Sequence, residues 1–268
     1  MTHPQRIPRS NFADYRKLLQ KKYRRLEGRF LIEGVHLVQE ALASDWKCEA
    51  LLLSDGFMSK DDYPDIARKA ASKKVTVYAI PDRDLERLSD MVTSQGIVGI
   101  VGQKNSGASN PLQGAGARSL IVALEGVADP GNLGTIIRTC DWFGTDALLL
   151  SEDTVELYNP KVIRATMGSL FHLPIVPEVD LRLSLVEAKE NGFTILAAAL
   201  DGESILNFNT SSDRVIVIFG NEARGIHPDI QRLATATVSI PRYGRAESLN
   251  VAVSCAAVLT ALRLRKES

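Results

Sequence analysis

Apolar residues recur along this chain in two rhythms. Short unbroken runs such as Leu120–Leu124 and Val215–Phe219 alternate with stretches whose apolar positions lie three and four residues apart. An unbroken run of five suits a strand covered on both faces, and three-and-four spacing marks one face of a helix. In the C-terminal part the predicted strands are Leu120–Leu124, Ala147–Leu150, Phe193–Ala199, Val215–Phe219 and Thr237–Ile240. Helices are predicted near Gly131–Phe143, Asn159–Ser169, Leu183–Asn191, His227–Leu233 and Leu249–Leu264. Regular alternation of this kind predicts a mostly parallel α/β fold. The N-terminal part reads as a charged helix over 12–26, a strand at Phe30–Ile32 and a helix at Glu33–Ala43, with Val35, Val38, Ala41 and Leu42 on its apolar side. Strands at Ala50–Leu53 and Val75–Ile80, a helix at Asp82–Met91 and a closing strand at Val98–Val101 complete a small α/β sandwich.

Between the two parts, Gly102–Ser119 is rich in Gly, Ser, Asn and Gln and has no apolar periodicity. Such a composition is a flexible connector, so the expected division is a domain at 1–102, a linker at 103–118 and a second domain at 119–268. No uncharged apolar run approaches the length of a membrane helix. The polar start of the chain does not resemble a secretory signal. Cys48, Cys140 and Cys255 are far apart in the sequence and form no metal-binding spacing, which fits isolated reduced thiols and a cytoplasmic location. The net charge is zero, yet residues 1–30 hold nine Lys and Arg against two acidic residues. A local basic block steers a chain toward phosphate while the rest of its surface stays neutral.

Three segments carry more than packing information, and each follows the carboxyl end of a predicted strand, where open α/β sheets bind ligands. In Leu124–Arg138, Asp129 is placed to cap a helix and Pro130 to open it. Leu133, Ile136, Ile137 and Cys140 then form a core stripe, which leaves Arg138 projecting elsewhere. In Ile218–Ile226 a buried strand runs into Gly220, which leaves room for a flat ligand, and then into Glu222. In Ser239–Ala256 the strand end Ile240 precedes a loop with Arg242, Tyr243 and Arg245, then Ser248 as the expected helix cap and Asn250 in the first turn. The helix that follows is apolar nearly all round, which predicts burial against the sheet on one side and a partner subunit on the other. His36, His172 and His227 occur in unrelated contexts and read as structural.

Together these segments resemble the SpoU (TrmH) family of RNA ribose 2′-O-methyltransferases. The resemblance rests on D-P-x-N-x-G-x-I-x-R at Asp129–Arg138, F-G-N-E-x-x-G at Phe219–Gly225 and I-P-x-x-G-x-x-x-S-L-N-V at Ile240–Val251, with a further likeness at Arg164–Ile175. It covers about residues 119–264. The segment Arg29–Leu42 is similar to the family's accessory RNA-binding domain, which has a ribosomal-protein-like fold.

The resemblance implies a deep trefoil knot near the C-terminus, a homodimer formed through the C-terminal domain, and S-adenosylmethionine as cofactor, with no metal. It implies a cofactor pocket lined by Leu200, Gly220, Ile240 and Leu249, and functional positions at Asn132, Arg138, Glu222, Ser248 and Asn250. The implied reaction is methylation of a ribose 2′-hydroxyl in RNA. Ribosomal RNA (23S) is the first choice of substrate, with transfer RNA second and a non-catalytic RNA-binding protein as the rival. A guanidinium is almost never deprotonated in a protein, so the expected role of Arg138 is electrostatic. Asn132 is expected to orient Arg138 or the RNA, Glu222 to position donors nearby, and Ser248 and Asn250 to hold ribose or cofactor.

Overall fold

A computed structural model describes residues 4–89, 91, 93–104, 111–113, 116–210 and 212–264. Within the expected linker, 105–110 and 114–115 lie outside the described residues. The chain divides into two compact units, one of residues 1–105 with 158–171 and one of 106–157 with 172–268. In chain order the elements are β1 (Gln5–Arg6), α1 (Arg9–Lys17), α2 (Lys21–Glu27), β2 (Arg29–Glu33), α3 (Val35–Ala43), β3 (Cys48–Ser54), α4 (Asp55–Met58), α5 (Tyr63–Ser72), β4 (Thr76–Ile80), α6 (Asp82–Leu85) and β5 (Ile97–Gly102). They continue as β6 (Ser119–Leu124), α7 (Pro130–Trp142), β7 (Ala147–Ser151), α8 (Pro160–Ala165), β8 (Ile175–Val179), α9 (Leu181–Glu190), β9 (Thr194–Ser204), β10 (Arg214–Phe219), α10 (Pro228–Gln231), β11 (Ala236–Ser239) and α11 (Val251–Leu264).

The first unit is built on a mixed five-stranded sheet in the order β1-β4-β3-β5-β2. The single charged helix expected over 12–26 is two helices, α1 and α2, separated by Leu18–Gln20. Gln20 is extended, at φ −101° and ψ 132°. The break lets Leu18 sink fully into a core with Tyr15, Leu31, Leu52 and Ile100. The carbonyls it frees at Leu18 and Leu19 accept hydrogen bonds from the Arg24 guanidinium at 2.8 and 2.9 Å. Arg24, counted in sequence as part of a basic surface, is therefore a buried structural cation.

Other boundaries also move. The helix expected at Asp82–Met91 is only α6 plus a 3-10 turn at Glu86–Leu88, which buries Leu85 and Leu88. The helix α5 was not expected. The helix expected at Asn159–Ser169 stops at Ala165, because Met167 and Gly168 both adopt positive φ. The stretch Tyr158–Phe171, expected in the C-terminal domain, groups with the first unit. There Tyr158 packs on Phe30 with ring centroids 4.7 Å apart, and Phe171 meets Trp46 edge-on at 5.4 Å.

The second unit is a six-stranded sheet, β11-β9-β10-β6-β7-β8, in which every neighbouring pair is parallel. All of β6 and β7 and five of the six residues of β10 are buried, as strands covered on both faces require. The outer strand β8 was missed, because Ile175–Val179 is only partly buried and contains Pro177. Helix α7 starts as expected: the Asp129 side chain accepts from Asn132 N, Pro130 opens the first turn, and Leu133, Ile136, Ile137 and Cys140 are fully buried. Helix α11 packs on α7, and the Arg263 guanidinium at its end donates to the carbonyls of Phe143 and Gly144. Cys140 and Cys255 are not isolated: they meet between these helices, and the neighbouring thiol together with burial raises the pKa of Cys255.

Arg24→Ala should cost the first unit about 2 kcal/mol, because a charged donor to two carbonyls is lost. Lys21→Ala, at an exposed position, should stay within about 0.5 kcal/mol. Urea unfolding followed by Trp fluorescence checks this, since Trp46 is buried in that unit and Trp142 is largely exposed.

Candidate functional site

The strand order sets the carboxyl ends of β11, β9, β10 and β6 side by side. The chain leaves β6 into 125–129, β10 into 220–227 and β11 into 240–250. These are the three segments singled out in the sequence, and the structure ties them together.

The tie runs through side chains. The Glu222 carboxylate accepts from Asn132 Nδ2 at 3.0 Å and from the backbone N–H groups of Ala128 and Asp129 at 3.3 and 3.4 Å. Asn132 Oδ1 in turn accepts from Asn250 Nδ2 at 2.9 Å. Asn250 Oδ1 accepts from Ala252 N and Val253 N, at 2.9 and 3.4 Å. Asn250, not Ser248, is thus the residue whose side chain caps α11. A glutamate, two asparagines and the starts of α7 and α11 form one hydrogen-bonded chain.

Loss of solvent around Glu222 pushes its pKa up. The hydrogen bonds from Asn132 and from backbone N–H groups, including its own, outweigh that effect and hold the pKa below the ordinary glutamate value. The carboxylate is therefore charged at neutral pH and a poor proton acceptor, which suits a frame more than a base.

Asn221 was quoted in the sequence motif but given no role, and it has one. Its Nδ2 donates to Gly126 O at 2.7 Å, and its Oδ1 accepts from Ala223 N and Arg224 N at 3.0 and 3.1 Å. It straps the β10 loop to the β6 loop beside Glu222. Gly126 has φ +65°, and a Cβ there would stand 2.7 Å from an Asp153 carboxylate oxygen. Gly220 has a packing reason of its own beside the one expected. A Cβ on it would fall 2.2–2.4 Å from the Gly225 carbonyl group and the Ile226 nitrogen, so the glycine lets the loop fold back on itself.

The remaining expected residues are placed but not joined to this chain. Arg138 is exposed on α7, six residues beyond Asn132 or about 9 Å along the helix axis. Among the described residues it makes no ion pair, so Asn132 orients Glu222 and Asn250 rather than Arg138. Ser248 is exposed in the loop before α11. Leu200 lies in 198–202, which bulges out of the β9–β11 ladder between the pairs Thr237–Ala197 and Val238–Glu203. Its side chain is 76% exposed and that of Leu249 is 49% exposed, while Ile240 is half-buried. His227 caps α10 with its Nδ1, and His172 pairs with Asp141 at 3.0 Å, both as structural groups.

A parallel sheet whose carboxyl edge carries polar groups fixed by hydrogen bonds, beside exposed apolar side chains, defines a ligand-binding α/β enzyme domain. Comparison with known proteins makes the class specific. Residues 119–260 match the SpoU rRNA Methylase family and residues 13–99 match the MRM3-like substrate binding domain. The chain belongs to the SpoU rRNA methylase family. It is 31% identical over 250 residues to the 23S rRNA (guanosine(2553)-2′-O)-methyltransferase RlmP of Bacillus subtilis, covering 93% of this chain and 94% of that one. It is 29% identical over 237 residues to the 23S rRNA (guanosine-2′-O-)-methyltransferase RlmB of Neisseria meningitidis, covering 88% and 95%. Among solved structures, the AdoMet-bound rRNA methyltransferase of Sinorhizobium meliloti matches with a TM-score of 0.84 and 30% identity, over 97% of each chain.

The lowered pKa of Glu222 fixes a pH dependence. A carboxylate that is more acidic when folded stabilises the fold above its unfolded value, about 4.3, and that contribution is lost as pH falls through the folded value. Glu222→Gln should therefore lower stability at pH 7 and flatten the acid limb below about pH 4.3. Thermal melts of both proteins between pH 3 and 7 measure it.

Proposed function

We propose that the protein transfers a methyl group from S-adenosylmethionine to a ribose 2′-hydroxyl of RNA, with ribosomal RNA as the substrate. The observation that carries this reading is the contrast between Arg138, exposed and without an ion pair among the described residues, and the hydrogen-bonded frame of Glu222, Asn132 and Asn250. The names of the relatives support the reaction and the RNA class.

The residues present fit the cofactor. Leu200 and Leu249 hold apolar side chains in the open at the sheet's carboxyl edge, as a site for an adenine or a methionyl chain requires. Ile240 and the side-chain-free backbone of Gly220 complete the same edge, and Leu200, Gly220, Ile240 and Leu249 are the residues that would hold it. When bound, the sulfonium supplies an activated methyl group that needs no metal. The frame keeps the 125–129, 220–227 and 240–250 loops in fixed relation, so that the acceptor hydroxyl is held in line. Positioning of this kind supplies up to about 7–11 kcal/mol. Arg138 stabilises negative charge developing on the 2′-oxygen and binds an adjacent phosphate, and the proton leaves to water or phosphate. Ser248 donates to the ribose.

The same reading includes a trefoil knot and a second copy of the chain. β9 lies between β10 and β11, so the chain must cross β9 to pass from one to the other, as a threaded C-terminus requires. Trp142 on α7 is 84% exposed and Val253 on α11 is 54% exposed, a cover suited to a homodimer contact. The first unit, read as a ribosomal-protein-like domain, presents Lys21, Lys22 and Arg25 on α2 to RNA phosphates. No helix among the described residues is long and apolar enough to cross a membrane, and the protein acts with its RNA in the cytoplasm.

Incubation with labelled S-adenosylmethionine and total RNA from cells lacking the gene, followed by digestion to nucleosides, tests the reading. Label in a 2′-O-methylnucleoside of ribosomal RNA is expected; label in a base, or none, would overturn it. Arg138→Ala should cut kcat at least about a hundredfold with cofactor affinity unchanged, as single-turnover assays and equilibrium dialysis can measure. Full turnover in this variant would remove Arg138 from the chemistry.

A further inference from the structure

Tyr243 is the most exposed large side chain with apolar surface among the described residues, at 93%. An aromatic ring carries a large payload of apolar area, and here almost all of it is left in solvent. The ring is presented by a loop secured at both ends. At the β11 end, Ser239 Oγ donates to Gly202 O at 2.7 Å and Ser239 O accepts from Ile205 N at 2.8 Å. At the other end Asn250 is bonded to Asn132. Between them, Arg242 Nη1 donates to Ala246 O at 3.4 Å. Tyr243 is thus displayed by the segment that also carries Ser248 and Asn250.

The charge around it is unlike that of the rest of the unit. Residues 106–157 and 172–268 hold eighteen Asp and Glu against twelve Lys and Arg. The loop reverses that balance: Arg242 and Arg245 flank Tyr243, against Glu247 alone, and all are exposed. Neither arginine is ion-paired among the described residues. A polyanion is drawn to the loop in preference to the rest of this acidic unit, and there it meets an exposed aromatic ring with Arg242 and Arg245 beside it in the chain. Rings stack on unpaired bases irrespective of sequence, and flanking arginines take the adjoining phosphates.

We propose that Tyr243 is a stacking platform for an unpaired base beside the methylated ribose, with Arg242 and Arg245 on the neighbouring phosphates. The proposal rests on the RNA methyltransferase reading and adds to it that the acceptor lies in a single-stranded or splayed stretch.

The test uses the full chain and ribosomal RNA from cells lacking the gene, with KM for RNA, kcat and S-adenosylmethionine affinity measured for Tyr243→Ala and Tyr243→Phe. Tyr243→Ala should raise the RNA KM roughly 5- to 100-fold, leave cofactor affinity within twofold and lower kcat far less. Tyr243→Phe, which keeps the ring, should behave as wild type. Arg245→Ala should reduce the salt slope of RNA binding by about 1. An unchanged KM in Tyr243→Ala overturns the proposal, as does an equal loss in Tyr243→Phe, which would assign the work to the hydroxyl. A parallel loss of cofactor affinity would assign the ring to the cofactor, and a weakened self-association would assign it to a second copy of the chain. A wild-type protein that methylates no ribose overturns the broader reading and this one with it. A wild type that does so beside an unaffected Tyr243→Ala overturns this one alone.

Discussion

The site depends on how one carboxylate is satisfied. Glu222 stands at an open edge of the sheet, where an ionised group would ordinarily be left to water. Two backbone N–H groups from the β6 loop and the amide of Asn132 converge on it instead. Each donor fixes the segment it comes from, so the need of one charge for partners sets the spacing of two loops and the start of α7. Asn132 passes the constraint on, because only its oxygen remains to accept from Asn250, and Asn250 has already committed its own oxygen to capping α11. Three segments far apart in sequence are held by groups that have little choice of partner.

On the proposed reading this arrangement separates holding from reacting. The side chains bonded across these loops, Glu222, Asn132, Asn221 and Asn250, form the frame. Arg138, Ser248 and Tyr243 are exposed and make no side-chain hydrogen bond or ion pair among the described residues. A glutamate with a lowered pKa makes a weak base but a dependable acceptor. An arginine without an ion pair among the described residues is suited to meet negative charge supplied by a substrate. The exposed apolar side chains of Leu200 and Leu249 belong to neither group; on the proposed reading they face the cofactor.

Much of the fold was legible in the sequence because the parallel sheet is buried on both faces. Runs such as 120–124 and 215–219 are short, unbroken and rich in β-branched residues, which favours a buried strand, and Asp129–Pro130 announces the start of α7 through local capping chemistry. The errors have physical causes. The break at Leu18–Gln20 is invisible to periodicity, because it is stabilised by Arg24 reaching back to carbonyls that only tertiary burial exposes. β8 is partly buried and contains a proline, so it lacks the pattern of the inner strands. The helix ending at Ala165 is cut by a non-glycine residue, Met167, in a left-handed conformation, which no propensity rule would place there. In the site, residue types were readable from motifs but pairings were not. Ser248 reads as the cap and Asn250 as a first-turn residue, yet Asn250 does the capping, because one amide can cap the helix and bond Asn132 at once. The role of Gly220 was likewise hidden, since the peptide that needs its missing Cβ lies five residues later in the chain.

A frame of this kind requires Glu222, Asn132 and Asn250 to act as one unit. A double-mutant cycle on S-adenosylmethionine affinity, using Asn132→Ala, Asn250→Ala and the combined variant, tests it most directly. If the chain is one frame, either single change breaks it and the double variant is little worse than the more damaging single one, a coupling of about 1 kcal/mol or more. Losses that simply add would contradict the claim and reduce the two asparagines to independent contacts.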